Sequence, residues 1–141
     1  GLKKKEGSKL INRFLANLPS LRRLRSRVEK SARSRILRAI DGRILHIRSP
    51  HVALNTLLQG AGAIICKQWL IYMMARVQQK ELDVKLVASI HDEYQFEVLN
   101  KDVEDFCKIT KLSIKDTERT LKIRCPLDSE YKIGTTWAET H

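Results

Sequence analysis

The sequence predicts an α+β fold, in which helices pack on a small antiparallel sheet within a single domain. Apolar residues recur at helical spacing in residues 1–35 and 49–80. Short apolar segments flank turn-forming residues in 36–48 and 82–98, and each pair predicts a β-hairpin. The chain has 141 residues, which is enough for one domain with a modest core.

The first 35 residues form a basic segment that predicts two amphipathic helices. An apolar stripe runs through residues 10–18, and Pro19 ends it because proline cannot donate to the preceding turn. A second stripe follows in residues 21–32, and only Glu29 relieves the positive charge of its polar face. The cations on that face are Arg22, Arg23, Arg25, Arg27, Lys30, Arg33 and Arg35.

Positive charge is concentrated in the first third of the chain. Residues 1–50 hold 15 basic and 3 acidic side chains, whereas residues 51–141 hold 12 basic and 13 acidic side chains. Closely spaced cations repel one another unless an anion neutralises them, so the second helix is predicted to contact nucleic acid. The alternative is an ordinary solvated helix face.

Residues 36–48 predict a tight hairpin and residues 49–80 a buried central helix. Asp41-Gly42 suits a two-residue hairpin turn, in which both central residues take positive φ. Ser49 and Pro50 suit the N-cap and the first position of the following helix. Apolar residues occupy most faces of that helix, which indicates burial.

Three polar residues interrupt the apolar pattern of the central helix on one face. His51, Asn55 and Gln59 have i, i+4 and i+8 spacing, which stacks their side chains. They are either core groups with satisfied hydrogen bonds or donors to the acceptors in the DNA minor groove, which every base pair displays in similar places. Gly60 and Gly62 beside them leave room for another backbone or a ligand.

Residues 82–98 predict a second hairpin with His91-Asp92-Glu93 at its tip. Adjacent carboxylates repel each other unless a cation lies beside them, and oxygen ligands of this kind suit Mg²⁺ bound together with substrate phosphates. A solvated acidic turn is the alternative. Residues 101–141 then predict a C-terminal helix over 103–119, a strand over 121–125 and an irregular tail.

Several classes of protein are disfavoured by composition. The longest apolar run, in residues 61–75, is interrupted by Lys67 and Gln68 and is too short for a membrane span. The first five residues lack the apolar segment of a secretory signal. The three cysteines are odd in number and widely spaced, which argues against a disulfide framework and favours a reducing compartment such as the cytoplasm.

In combination, these motifs resemble the C-terminal palm portion of family A DNA polymerases, most closely the replicative polymerases of short-tailed phages. The order is a basic helical segment, DGR at a hairpin turn, a helix with Asn-x3-Gln-Gly, and HDE at a hairpin tip. The stretches that carry the resemblance are residues 41–43, 48–51, 54–63 and 90–93. It covers essentially the whole chain and implies a palm fold whose metal-binding hairpin is 82–98, in the cytoplasm of a bacterial or phage-infected cell.

The resemblance also implies roles for individual residues. Asp92 corresponds to one of two palm aspartates that hold the catalytic Mg²⁺ ions, and Glu93 to an auxiliary carboxylate. Related phage RNA polymerases have Ser at the place of Glu93, which favours a DNA enzyme. The implied DNA contacts, with Gln59 and His91 near the primer terminus, are His51, Asn55, Gln59, His91, Arg43 and Arg48. His51 departs from bacterial DNA polymerase I, which has Arg there.

Other parts of the family's machinery match nothing in this chain, namely the second metal-binding Asp and the fingers residues that hold the incoming dNTP. We therefore expect a palm piece that is inactive alone and acts on primer-template DNA with the remainder of the polymerase, in the same or a separate chain. Residues 137–141 resemble the phage family's C-terminus, so any missing chain is expected upstream.

Two alternatives have different chemistry. A non-catalytic DNA-binding accessory module or remnant would keep the basic helices and the minor-groove face. A metal-dependent phosphohydrolase built on His91 and Asp92 would need further His and Asp ligands, and the other three histidines have no suitable spacing.

Overall fold

A computed structural model describes residues 4–140 of the chain, with the backbone alone for Lys4. The predictions made for residues 1–3 and for His141 lie outside the described residues. The α+β class is confirmed, with helices and two separate two-stranded antiparallel sheets. Within this fold the contacts divide the chain into two compact units, Gly1–Gly60 and Ala61–His141.

The first unit contains the two predicted helices, α1 (Lys4–Asn17) and α2 (Pro19–Ser31). Pro19 takes the first turn of α2, where its missing N–H costs no helical hydrogen bond. The apolar face of α1 is exposed, with 58% of Phe14 accessible to solvent. The core of this unit consists instead of α2, the hairpin and the start of the next helix: Val28, Ala32, Leu37, Ile47 and Ala53.

The first hairpin pairs β1 (Ile36–Arg38) with β2 (Ile44–His46), but the predicted two-residue turn is wrong. Gly42 has φ +86°, whereas Asp41 is not among the described residues with positive φ. The Gly42 N–H donates to the Ala39 carbonyl, and the Ala39 N–H donates to the Arg43 carbonyl. The loop therefore has three residues and needs the left-handed conformation only at its glycine.

The central helix α3 spans Pro50–Gln79, as predicted from Ser49 and Pro50. The prediction that it is buried is wrong for much of its surface, because Leu58 and Ile71 are both more than half exposed. Its end is a Schellman motif: Glu81 has φ +55° and the Leu82 N–H donates to the Val77 carbonyl.

In the second unit, β3 (Val84–Ile90) pairs with β4 (Glu93–Val98), and aliphatic and aromatic side chains together form the core. The register shifts between Leu86 and Ala88, which leaves a bulge at Val87. Ring centroids lie 5.6 Å apart for Trp69 and Tyr94, and 4.8 Å apart for Phe96 and Phe106. The hairpin is therefore supported from α3 by Trp69 and from the following helix by Phe106.

That following helix, α4, spans Val103–Thr120 and confirms the prediction for residues 103–119. The strand predicted over 121–125 is wrong. Lys122 has φ +52°, and the Ile123 N–H donates to the Glu118 carbonyl, so these residues cap the helix. The chain continues without a regular element until α5 (Trp137–Thr140).

Two substitutions in α4 test where the core lies. Phe106 is 6% exposed and Leu112 is 55% exposed. We expect Phe106→Ala to lower the free energy of unfolding by about 3 to 5 kcal/mol, because it leaves a cavity between α4 and β4. Leu112→Ala should cost less than about 0.5 kcal/mol. Urea denaturation followed by circular dichroism measures both, and equal losses would contradict the assigned core.

Candidate functional site

The tip of the second hairpin is a tight turn in a strained conformation. Ile90 pairs with Glu93, so His91 and Asp92 alone form the loop between the strands. His91 has φ +55°, in the left-handed region that side-chain-bearing residues seldom adopt. Such outliers cluster at functional sites, where the surrounding structure holds them in place. This turn projects the three predicted site residues at the end of β3 and β4.

The two carboxylates at the tip have different surroundings. The Asp92 side chain is exposed, whereas Glu93 is partly buried. The Gln95 amide nitrogen donates a hydrogen bond to Glu93 Oε1. Asp92 is thus open to solvent and ligands, while one oxygen of Glu93 is fixed by a neutral donor.

Cys66 of α3 lies within electrostatic reach of the tip, and the sequence interpretation assigned it no role there. Burial raises the pKa of the Cys66 thiol, and the nearby Asp92 carboxylate raises it further. Burial also raises the pKa of Tyr94, with a smaller effect from Cys66. The ring contact of Tyr94 with Trp69 of α3 places the start of β4 beside α3, and the effect of Asp92 on Cys66 is consistent with this arrangement. No local motif around Cys66 could have shown this.

The donor set at the tip fits part of a magnesium site. No group of three or more His, Cys, Asp or Glu side chains in residues 4–140 is arranged to hold a metal ion. Mg²⁺ is, however, commonly bound through one or two carboxylates, with substrate phosphates and water as its other ligands. Asp92 and Glu93 are two adjacent carboxylates of the kind that could take part in such a site.

The polar stripe of α3 is on the surface of the first unit. His51, Asn55 and Gln59 are all exposed, so the alternative that they are satisfied core groups is wrong. Their side chains make no hydrogen bond or ion pair within the part of the chain that the structure describes. Their donors and acceptors are available to a ligand.

The basic residues of the first unit fall into engaged and unengaged side chains. Arg25 pairs with Glu29 at 2.8 Å, and Arg43 pairs with Asp41 at 2.7 Å. Arg23 donates to the Ser20 hydroxyl at 3.3 Å. Among the predicted DNA-contacting arginines, the exposed ones with neither an ion pair nor a side-chain hydrogen bond within residues 4–140 are Arg22, Arg27 and Arg48.

The predicted site residues therefore fall into two groups. The second unit brings together His91, Asp92 and Glu93, while the first unit carries the α3 stripe and the arginines. Gln95 was also missed as a contact of Glu93. The signal was present in the alternation of β4, since side chains two residues apart in a strand share a face.

Comparison with known proteins assigns a family to this architecture. The model for DNA polymerase family A matches residues 1–139. A DNA-directed DNA polymerase of Enterobacteria phage T3 is 32% identical over 163 residues, an alignment that covers 100% of this chain and 23% of that polymerase. The DNA-directed DNA polymerase of Escherichia phage Phieco32 is 35% identical over 143 residues, covering 96% of this chain and 23% of its own length.

A solved structure shares the fold. The POL domain of Pol1 from M. smegmatis, in complex with DNA primer-template and dNTP, superposes with a TM-score of 0.76 at 18% identity. The match covers 82% of this chain and 23% of that one. The chain therefore belongs to DNA polymerase family A, and it spans about a quarter of the length of the relatives that it matches. No helix within residues 4–140 is both long and apolar enough to cross a membrane.

The proximity of Cys66 to Asp92 can be tested through thiol reactivity. Asp92→Asn removes the negative charge, so the pKa of Cys66 should fall and its thiolate fraction at about pH 8 should rise. Alkylation of Cys66 by iodoacetamide, followed at each cysteine by mass spectrometry, should become faster. The gain should disappear at a pH high enough to ionise the thiol in both proteins.

Glu97→Gln is the matched control, because Glu97 is an exposed carboxylate of β4 that does not contribute to the pKa of Cys66. It should leave the alkylation rate of Cys66 unchanged. An identical rate in Asp92→Asn and the unmodified chain would show that Asp92 does not lie beside the thiol.

Proposed function

We propose that this chain is the palm piece of a DNA-directed DNA polymerase and supplies one metal-binding carboxylate to template-dependent nucleotidyl transfer in DNA replication. The observation that supports this most is the strained two-residue tip, which presents an open Asp92 next to a tethered Glu93. In a chain of family A, this arrangement suits a carboxylate that binds the catalytic cation.

Asp92 would hold Mg²⁺, with Glu93 as the auxiliary carboxylate beside it. When bound, the metal pair supplies activation of the primer 3′-hydroxyl and charge stabilisation for the departing pyrophosphate. The carboxylate of Asp92 is exposed, so it can bind the cation without displacing another protein group. His91 would contact the primer end from the same turn.

The exposed stripe of α3 would track the minor groove of the nascent duplex. Amide and imidazole groups can bond the acceptors that all base pairs display there, so they sense pair geometry without reading sequence. His51, Asn55 and Gln59 meet the requirement that such donors be exposed and unpaired. Arg43 and Arg48 would lie near the primer-template backbone.

The remaining machinery has to come from residues outside this sequence. We propose that the second metal-binding Asp and the residues that hold the incoming dNTP belong to the rest of the polymerase, in the same polypeptide or in a separate chain in the cytoplasm. The carboxylates available at the tip supply only part of a two-metal site. The 141-residue chain is therefore expected to be inactive alone.

Binding to duplex DNA should depend on the unpaired arginines of α2. Arg27→Gln is expected to reduce the magnitude of the slope of log K against log salt concentration by about 0.9, the value for one lost phosphate contact. Arg25→Gln is the matched control, because Arg25 already pairs with Glu29 at 2.8 Å and should change the slope less. Fluorescence anisotropy with a labelled duplex measures both, and equal slopes in all three proteins would exclude Arg27 from the interface.

The catalytic role is tested by complementation. The chain alone should show no templated primer extension, whereas the chain combined with the rest of a family A polymerase should extend a primer. Asp92→Ala should then reduce extension to background without loss of DNA affinity, because a metal ligand is removed and the basic face is kept. Glu97→Ala, which removes an exposed carboxylate from the same strand, should leave extension unchanged.

A non-catalytic accessory module is the second candidate, and the exposed cations of α2 support DNA binding in that case as well. The same experiment separates the two functions. Full extension by the complex that contains Asp92→Ala would favour the accessory role, and robust extension by the unmodified chain alone would contradict the expected need for a partner.

A further inference from the structure

We propose that the cavity between β4, α4 and the C-terminal strap, defined as residues 127–140, is a binding site for a small aromatic cation. The cavity lies within the second unit, and every residue that lines it belongs to residues 69–140. Neither the cations of α2 nor the polar stripe of α3 contributes to it, so this inference goes beyond the proposed function and does not depend on it.

The size of the cavity suits a small molecule. Its volume is about 760 Å³. Small-molecule sites in proteins typically span roughly 300 to 1,000 Å³. One water molecule occupies about 30 Å³ in the liquid, so this space is not a packing defect that a single water fills. It can hold a molecule with several rings.

The inner wall of the cavity is apolar. It consists of buried and half-buried side chains of α3, β4 and α4, namely Trp69, Met73, Tyr94, Phe96 and Phe106. The Trp69 indole N–H already donates to the Thr110 carbonyl at 2.9 Å. The Tyr94 hydroxyl is hydrogen-bonded to the Ser89 side chain. Since its polar groups are engaged, this wall presents ring and aliphatic surface to a ligand.

The outer wall is formed by the strap, whose apolar side chains do not close the cavity. Tyr131 is 51% exposed and Ile133 is 63% exposed, although both line the cavity. Filling the cavity with a ligand would remove part of this apolar surface from water, which favours binding. A ligand with apolar rings therefore suits both walls.

The strap is fixed on α4 before the cavity begins. The Lys115 ammonium donates to the Leu127 carbonyl, and the Leu127 N–H donates to the Glu118 carboxylate at 2.7 Å. Further along the strap, Tyr131 is hydrogen-bonded to the Cys107 thiol of α4. Because these contacts position the outer wall in advance, a ligand has little of the strap to order when it binds.

The charge of the lining selects the class of ligand. Three carboxylates and one ammonium line the cavity: Glu93, Glu130, Glu139 and Lys132. The Thr135 N–H and hydroxyl and the Thr136 N–H donate to Glu139, which lowers the pKa of Glu139 and keeps it ionised at neutral pH. The excess of negative charge attracts a cation and repels phosphate or carboxylate ligands.

Glu130 is the carboxylate best placed to pair with such a ligand. Its side chain is exposed and makes no hydrogen bond or ion pair within the part of the chain that the structure describes, residues 4–140. A flat cation can contact the aromatic inner wall, whose ring faces attract positive charge, and pair with Glu130 at the outer wall. A neutral aromatic molecule would gain only the first of these contacts.

The test uses thioflavin T, a flat aromatic cation whose fluorescence rises when its rings are immobilised, and the 141-residue chain without DNA. We expect saturable binding at one site. In labelled protein the largest chemical-shift changes should be at the Trp69 indole N–H and at the amides of residues 131–133. Absence of saturable binding, or larger changes outside the residues that line the cavity, would overturn the inference.

Two comparisons test the charge of the ligand. Glu130→Gln should weaken binding of thioflavin T by about 2-fold to 5-fold, the effect of one exposed charge pair, and Lys132→Gln should strengthen it. Glu97→Gln is the matched control, because it makes the same change in net charge at an exposed carboxylate that does not line the cavity. Equal weakening in Glu130→Gln and Glu97→Gln would contradict the contact with Glu130.

The anionic dye 8-anilinonaphthalene-1-sulfonate should bind this cavity at least about 5-fold more weakly than thioflavin T, since it meets the excess of carboxylates. Equal or tighter binding of the anion, with chemical-shift changes at the same residues, would overturn the assignment of a cationic ligand.

A final pair of variants tests the strap as the outer wall. Tyr131→Ala removes a ring that lines the cavity and should weaken binding of thioflavin T. Leu112→Ala is the matched control, because Leu112 is 55% exposed on α4 and does not line the cavity, so the affinity should not change. Both side chains are more than half exposed, so both variants should remain folded. Unchanged affinity in Tyr131→Ala would contradict the role of the strap.

Discussion

The tight turn between β3 and β4 is the constraint on which the candidate site depends. Pairing of Ile90 with Glu93 leaves only two residues to reverse the chain, which forces His91 to a φ of +55°. A residue held in this region costs on the order of 1 to 3 kcal/mol, so the hairpin must be stabilised elsewhere. The contacts of Tyr94 with Trp69, and of Phe96 with Phe106, supply that stabilisation beneath the turn.

The distribution of charge differs between the two units. The strongly cationic polar face of α2 lies in the first unit, where it can neutralise phosphates. The tip in the second unit carries adjacent carboxylates, with the Gln95 amide bonded to Glu93 and the Cys66 thiol in the vicinity of Asp92. In the proposed function, the cations of α2 contact DNA phosphates and the carboxylates of the tip bind the metal ion.

Much of the fold could be predicted because local signals determine it. Ser49 and Pro50 located the start of α3, and alternation of apolar and polar residues located β4. The loop of the first hairpin was predicted to have two residues but has three. The dipeptide Asp41-Gly42 also fits a three-residue loop in which only the glycine is left-handed. The prediction of a strand at 121–125 was wrong, because Lys122 adopts a left-handed conformation and the Ile123 N–H bonds back to α4, so these residues cap the helix.

The same distinction between local and tertiary determinants applies to the residues of the candidate site. Adjacent motifs such as His91-Asp92-Glu93 are visible in the sequence, since their chemistry depends on neighbours along the chain. Cys66 was not predicted as a neighbour of the site, because its proximity to Asp92 depends on tertiary packing across 26 residues. The exposure of the α3 stripe likewise depends on which faces the surrounding elements cover.

The most direct test of a metal-binding carboxylate at this turn is paramagnetic broadening of the labelled chain by Mn²⁺, which replaces Mg²⁺ as the probe. The amide signals of residues 90–94 should broaden first as Mn²⁺ is added, and Asp92→Ala should abolish that selectivity. Broadening that is strongest elsewhere, or that persists at the tip in Asp92→Ala, would contradict the assignment of Asp92 as the metal ligand.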